Sequence, residues 1–347
     1  MRADAGPVMG AGHVMRCFAV AEALQDRGVH VHLASVNLPS TLADRIREAG
    51  IALHALAVPP GGAEDLGATA GIIDALDAAG VVVDGYHFDE GWWAGLAEIC
   101  RHGRVPVLVF DDLATAPQLH ANIVVNAALQ ASALPYRRIA SDAVHLLGPA
   151  FAPLRREFRV VAQDVKEPLP ARSRLFVTFG GADPLGLTTP VMETLAPRLP
   201  EGVSLSVAVG GSDPKLDGIR LAAERFGGRV ELHVNCRAMA ARMAEAGLAV
   251  AAAGTTTGEL AAMGTPAILV VVADNQEEGA RQSAQVGLCT VIDGREPDAA
   301  DHIVETALRL WADADRRTAM AERLGTVVDG MGAVRIADAL CAAITAR

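Results

Sequence analysis

Gly10, Gly12, His13 and Arg16 fall within one short run, Gly10-Ala11-Gly12-His13-Val14-Met15-Arg16. A polar stretch, Arg2 to Pro7, precedes it, and an amphipathic helical pattern, Val14–Arg27, follows. Two glycines let backbone come close to a ligand. A helix start then points unpaired N–H groups and a positive dipole end outward, which suits a phosphate or a developing anion. His13 stands at that edge, and imidazole titrates near working pH. The run therefore offers an anion site and a general base. It is not a dinucleotide fingerprint, because Met15 stands where GxGxxG needs its third glycine. Its plain structural alternative is a histidine at a helix cap.

Other runs place chemistry at strand ends. Ala252 to Leu260 reads AAGTTTGEL. There Gly254, Thr255 and Thr256 can cradle a diphosphate through N–H and hydroxyl donors, and Glu259 can hold ribose hydroxyls. A capping box, with Glu259 reaching back to Thr255 or Thr256, competes for the same carboxylate. Asn275 and Gln276 follow a buried strand, and their adjacent amides can orient sugar hydroxyls or an acetamido group, or serve only a helix start. Asp84 in VDGYH and the Asp111-Asp112 pair lie just past strands, where site residues belong. Turn chemistry accounts for one of the paired aspartates. Gly180 and Gly181 open FGGADP, echoed by VGGSDP at Val209 to Pro214. Each echo offers an Asp cap and a Pro at a helix start, and the first belongs at the site. His30 and His32 alternate on one strand face with no third ligand nearby, which predicts solvent-facing side chains and no metal site.

The elements that must carry these residues alternate along the chain. Strand-like runs are Val29–Ala34, Val81–Val83, Val105–Phe110, Ile123–Val125, Leu175–Phe179, Ser204–Val209, Val230–His233, Leu248–Ala251, Ala267–Val272 and Thr290–Ile292, with helical patterns between them. This is the signature of an α/β chain with doubly wound parallel sheets. Glu167, Pro168 and Pro170 among mixed charges mark 156–174 as a linker. A domain over 1–155 and another over 175–347 follow, facing across a cleft, with the last helix expected to pack back on the first. The chain has 347 residues and 51% hydrophobic content, ample for two cores. A net charge of −11 without a basic run argues against nucleic acid as partner. The five cysteines are scattered without a CxxC pair, which fits neither a disulfide framework nor a zinc knuckle. The start lacks signal-peptide character and no apolar run is long enough to span a bilayer, so a cytoplasmic protein is expected.

Taken in order, RAD (Arg2–Asp4), GxGHxMR (Gly10–Arg16), VDGY (Val83–Tyr86), DDLA (Asp111–Ala114), LLGPAFAPLRREF (Leu146–Phe158), FGGADP, GTTTGE and DNQ resemble the pseudaminic acid pathway UDP-sugar hydrolases (PseG type). The resemblance runs through nearly the whole chain, and LLGPxFAPLRxEF together with GHxMR is its most specific part. It implies the GT-B fold shared with MurG-type glycosyltransferases. It also implies cleavage of UDP-2,4-diacetamido-2,4,6-trideoxy-β-L-altropyranose to UDP and free sugar, without a cofactor. His13 is then the catalytic residue, and Tyr86 and Asn275 line the sugar site. Gly254–Thr256 and Glu259 hold the UDP, and Arg2, Asp4, Gly12, Arg16, Gly180, Gly181 and Gln276 stand as further substrate contacts. Met1 directly precedes Arg2, which predicts a short first strand and weak anchoring of Arg2 and Asp4. Thr256 and Thr257 stand where the family often has Ser-Trp.

The expected reaction is attack of water on the anomeric carbon, with inversion and departure of UDP. His13 takes the water's proton, Asp84 or Asp112 orients the water, and no metal is needed. The alternatives are a GT-B glycosyltransferase with a hydroxyl acceptor and a non-catalytic subunit that binds nucleotide-sugar.

Overall fold

The computed structural model describes residues 1–6, 9–164, 168–211 and 213–346. Pro7, Glu167 and Ser212 of the segments above lie outside them. The chain divides into two compact units, Met1–Arg156 with Gly330–Arg347, and Glu157–Asp329.

Unit 1 runs β1 (Arg2–Ala3), α1 (Gly12–Gln25), β2 (His32–Ser35), α2 (Ser40–Glu48), β3 (Ala52–Ala55), α3 (Ala63–Ala75), β4 (Val81–Asp84), α4 (Glu90–His102), β5 (Val107–Phe110), β6 (Ile123–Asn126), α5 (Tyr136–Ile139) and β7 (Val144–Leu147). The strands form one parallel sheet in the order β3-β2-β1-β4-β5-β6-β7. Side chains of β4 alternate between its faces. Val82 packs with α1 residues Val14, Phe18 and Ala21, whereas Val81 and Val83 pack with Trp92 and Leu96 of α4. β1 is only two residues long, yet Arg2 pairs with both Ala34 and Val83. Its central place in the sheet anchors it despite its length.

Unit 2 runs α6 (Arg156–Gln163), β8 (Arg174–Thr178), α7 (Thr188–Leu195), β9 (Ser204–Val209), α8 (Leu216–Glu224), β10 (Val230–Val234), α9 (Met239–Ala244), β11 (Ala246–Ala252), α10 (Thr256–Met263), β12 (Ala267–Val271), α11 (Glu277–Gln285), β13 (Cys289–Asp293), α12 (Ala299–Ala312) and α13 (Ala314–Leu324). Its parallel sheet has the order β10-β9-β8-β11-β12-β13. The segment taken as a linker is largely ordered. Residues 156–163 are helical and bury Phe158, because Phe158 and its neighbours form an amphipathic turn that the flanking prolines masked.

The last helix, α14 (Gly332–Thr345), belongs to unit 1. Ala333, Ile336, Ala337 and Leu340 follow helical spacing and join the core that holds α1. Arg27 beyond α1 also donates to Asp338 at 2.8 Å. The second sequence domain therefore loses residues 330–347 to the first. Among the described residues no helix is long and apolar enough to cross a membrane.

Candidate active site

In each sheet the strand order reverses beside the first strand of the unit, β1 against β4 and β8 against β11. Ligand crevices of open α/β sheets form at such reversals, beyond the C-terminal strand ends. The glycine-histidine run follows β1 and Asp84 ends β4, so the unit 1 reversal gathers the residues expected to do the chemistry.

His13 is the second residue of α1, and its Nδ1 lies 2.6 Å from Asp84 Oδ1. Asp84 is fully buried. Arg16 donates to it twice, Nε to Oδ2 at 2.8 Å and Nη2 to Oδ1 at 2.7 Å. With both oxygens accepting from the guanidinium, the carboxylate presents a lone pair to His13. The hydrogen of the His13 contact is therefore carried by Nδ1, and in the neutral ring the lone pair falls on Nε2. No described residue bonds Nε2. Arg16 Nη2 also approaches Nδ1 at 3.3 Å, a contact between two donors under this proton assignment.

Asp112 completes the cluster from the loop after β5. Its two oxygens accept from Arg16 Nη1 at 2.9 and 2.7 Å, and Tyr86 O–H donates to it in a very short contact. Burial alone would raise the Asp112 carboxyl, but the Arg16 guanidinium and the Tyr86 bond hold it below its ordinary value. Burial first, then the Asp112 charge, push the Tyr86 phenol far up, so it stays a donor. The Tyr86 ring meets His13 edge-on with centroids 4.8 Å apart. Asp111 takes the turn role instead. It accepts the N–H of Leu113 at 3.1 Å and of Ala114 at 3.2 Å, where Ala114 has φ 52°.

Two expectations change here. Asp84 cannot orient a water directly, because it is closed off behind His13 and Arg16. Arg16, expected at the substrate, spends its fork on Asp84 and Asp112.

Arg2 and Asp4 also move inside. Both are buried, and Arg2 donates from Nε and Nη2 to Asp65 of α3 at 3.0 and 2.5 Å. Asp4 sits 2.7 Å from Arg2 Nη2 and 2.9 Å from His87 Nε2, and accepts Val36 N–H at 2.7 Å. They brace the loops after β2 and β4, which corrects both the expected weak anchoring and the expected ligand contact. Sequence alone missed Asp65, because α3 carries a weak apolar pattern. It also gave no role to Tyr136, whose O–H donates to the Asp111 carbonyl at 2.5 Å and accepts from Asn126 Nδ2 at 2.9 Å. The signal available there was its rarity, since the chain has two tyrosines.

In unit 2 the loops after β8, β11 and β12 carry the remaining candidates. Gly180 has φ 86° and, with Gly181, is exposed. The two glycine echoes touch, since a Cβ on Gly210 would lie 2.0 Å from the Gly181 carbonyl oxygen. Neither echo starts a helix at its proline. Asp183 instead accepts the N–H of Leu187 at 3.0 Å and Thr188 at 2.8 Å, across a turn at Gly186. Gly254 and Thr255 are exposed, and α10 starts at Thr256 with no side-chain cap bond. The N–H groups of Gly254, Thr257 and Gly258 already bond the carbonyls of Ala252, Gly254 and Thr255 at 2.8 to 3.2 Å, which leaves those of Thr255 and Thr256 for an anion. Asn275 is exposed, and Gln276 Oε1 accepts Val272 N–H at 3.0 Å. Gln276 Nε2 lies 3.7 Å from a Cβ built on Gly254, so the two motifs adjoin. Arg295, not foreseen, ties Asp274, Glu277 and Asp293 together at 2.5 to 2.9 Å and fixes that turn.

His32 Nδ1 lies 2.9 Å from His54 Nε2 of β3, so His32 is not simply solvent-facing. Among the described residues no group of three or more His, Cys, Asp or Glu could hold a metal ion.

Residues 190–336 match the glycosyltransferase family 28 C-terminal domain. The fold is GT-B. MurG of Acinetobacter baumannii superposes with a TM-score of 0.62 at 17% identity, covering 99% of each chain. A UDP co-structure of MnaA from Staphylococcus aureus gives 0.67 at 13%, covering 97% of this chain and 95% of that one. The UDP-N-acetylglucosamine–N-acetylmuramyl-(pentapeptide) pyrophosphoryl-undecaprenol N-acetylglucosamine transferase of Acidiphilium cryptum is 33% identical over 202 residues, 56% of this chain and 54% of the relative. An uncharacterized protein of Methanocaldococcus jannaschii is 23% identical over 286 residues, 79% of this chain and 56% of the relative. The chain spans about half the length of these curated relatives.

Proposed function

We propose that the protein hydrolyses a UDP-linked diacetamido-trideoxy hexose to UDP and free sugar, a step of pseudaminic acid biosynthesis. The observation that carries this reading is the 2.6 Å pairing of His13 with buried Asp84, which leaves Nε2 as a lone pair at the unit 1 reversal. The ordered motifs from RAD to DNQ and the UDP bound by a protein of the same fold support it.

In this mechanism a water oxygen attacks the anomeric carbon and its proton passes to His13 Nε2. The bond from that carbon to the diphosphate oxygen breaks, and its electron pair leaves with UDP. Attack opposite the leaving group inverts the anomeric centre. A phosphate-type leaving group has a second pKa of about 6, so departure needs little help from a general acid, and the step as written calls for no metal. The uncapped start of α10, with Gly254 to Thr256, takes the charge that develops on the diphosphate. Glu259, Gly180 and Gly181 also serve the nucleotide, and Tyr86, Asn275 and Gln276 serve the sugar. Gly12 leaves room beside the base.

A GT-B glycosyltransferase is the second reading, favoured by the family 28 match over 190–336 and the Acidiphilium relative. It needs a hydroxyl acceptor where the hydrolase uses water. Assay of UDP release from the diacetamido sugar nucleotide, with and without candidate acceptors, separates the two. Release that requires an acceptor defeats the hydrolase.

A further inference from the structure

We infer that Arg16 is a positioning residue that fixes the tautomer and aim of His13, and is not a ligand of the substrate's phosphates. This rests on His13 as the base.

A guanidinium carries five N–H donors in a rigid fork. In Arg16, Nε and Nη2 both go to Asp84, and Nη1 spans the two oxygens of Asp112. The remaining Nη2 edge faces His13 Nδ1 at 3.3 Å. The guanidinium carbon stands 5.1 Å from the centroid of the Phe110 ring, which closes one of its faces. Every nitrogen of the fork is thus already engaged by a carboxylate. His13 and Arg16 are three residues apart on α1, so both project from one helix face.

This geometry has two consequences. Arg16 occupies both Asp84 oxygens, which turns that carboxylate so that Oδ1 meets Nδ1–H. In the neutral ring this selects the Nδ1–H tautomer, in which Nε2 carries the lone pair. Arg16 also fixes Asp112, and Asp112 holds the Tyr86 hydroxyl, whose ring packs on the edge of His13. One side chain thus ties the end of β4 to the loop after β5. Lysine keeps the charge but cannot span two carboxylates.

The test compares wild type, Arg16→Lys, His13→Ala and the double variant in UDP release, together with UDP affinity. Arg16→Lys is expected to lower kcat by ~10²-fold, the scale of misplacing a reacting group by about 1 Å. KM and the UDP Kd stay within about twofold, because no phosphate contact is lost. In the His13→Ala background the same change adds nothing. A rise in KM and UDP Kd with kcat retained, or an equal loss in that background, overturns the inference. Nitrogen NMR of the His13 ring gives a second readout independent of turnover. Wild type is expected to show the Nδ1–H tautomer and Arg16→Lys a larger Nε2–H share. An unchanged tautomer overturns the inference. Because it needs no turnover, the NMR result decides on Arg16 even where His13→Ala keeps full activity and the base reading itself falls.

Discussion

His13 Nδ1 and Asp84 Oδ1 meet at 2.6 Å, joining the start of the first helix to the end of the fourth strand. On the proposed mechanism the contact makes a helix-start histidine an oriented base, because the buried carboxylate accepts one ring N–H and leaves the other nitrogen free. Asp84→Asn keeps the size of the side chain but can present an amide N–H to Nδ1. The ring then protonates at Nε2 and the base is lost. We expect at least a ~10²-fold loss of kcat with UDP affinity unchanged. Steady-state kinetics with a UDP binding titration checks this, and a near-normal kcat contradicts it.

Direct removal of the proposed base gives the second expectation. His13→Ala should lose at least ~10²-fold in turnover, the usual share of a general base. His13 is buried at a helix start, and its removal leaves both Asp84 oxygens still held by Arg16. Thermal melting is expected to stay close to wild type. A large fall in melting temperature with turnover per folded molecule preserved would instead return His13 to a structural role.

The buried Arg2 network makes unit 1 sensitive to acid. Burial alone would raise the Asp4 and Asp65 carboxyls. Asp4 is nevertheless held well below its ordinary value by His87 and Arg2, and Asp65 is held below by Arg2 and the Gly61 N–H. A folded pKa below the unfolded one gives stability that is full above about pH 4 and is lost as pH falls toward the depressed values. Melting temperature should therefore be flat from neutral pH to about pH 5 and fall below about pH 4. Asp65→Asn leaves Arg2 buried with one partner fewer, at a cost of about 3–5 kcal/mol. Its melting curve should lie lower and depend less on acid. A variant as stable as wild type contradicts this role for Asp65.

Unit 2 offers a test of the nucleotide loop. A methyl on Gly254 would meet only Gln276 Nε2 at 3.7 Å, an ordinary contact, so Gly254→Ala should fold normally. On the proposed nucleotide site it would still stand where a phosphate approaches the α10 start. UDP affinity should fall by about tenfold, the worth of one or two weakened charge-assisted bonds. Calorimetric titration with UDP checks this, and an unchanged Kd moves the diphosphate elsewhere.

Gly210 tests packing between the glycine echoes. Its Cβ would lie 2.0 Å from the Gly181 carbonyl, backbone that cannot swing aside. Gly210→Ala should cost about 1–3 kcal/mol, the range of overpacked sites. Denaturant unfolding measures it, and a neutral result shows that the two loops yield more freely than their contact implies.

Much of this architecture was legible in the residues. Apolar runs such as Ser204–Val209 give buried central strands because both faces are covered. β3 and β7 were not seen, and β1 was expected only as a short first strand. β1 is two residues long, and β3 and β7 are edge strands whose exposed Ala52, Ala55 and Val144 blur the pattern. His13, Asp84 and Asp112 could be picked out as residue types at strand and helix ends, and the structure brings all three to one cluster through Arg16. What sequence could not show is partnership. Arg2, Asp4 and Arg16 read as ligand contacts, but each is matched by a carboxylate or imidazole distant along the chain. Spacing does not reveal such pairs.

The most direct test of hydrolysis at the anomeric carbon is turnover of the UDP-linked diacetamido sugar in oxygen-18 water without any acceptor. UDP should be released, with the heavy oxygen in the free sugar and none on the UDP β-phosphate. No release without an acceptor, or label in the β-phosphate, would contradict C–O cleavage by water at this site.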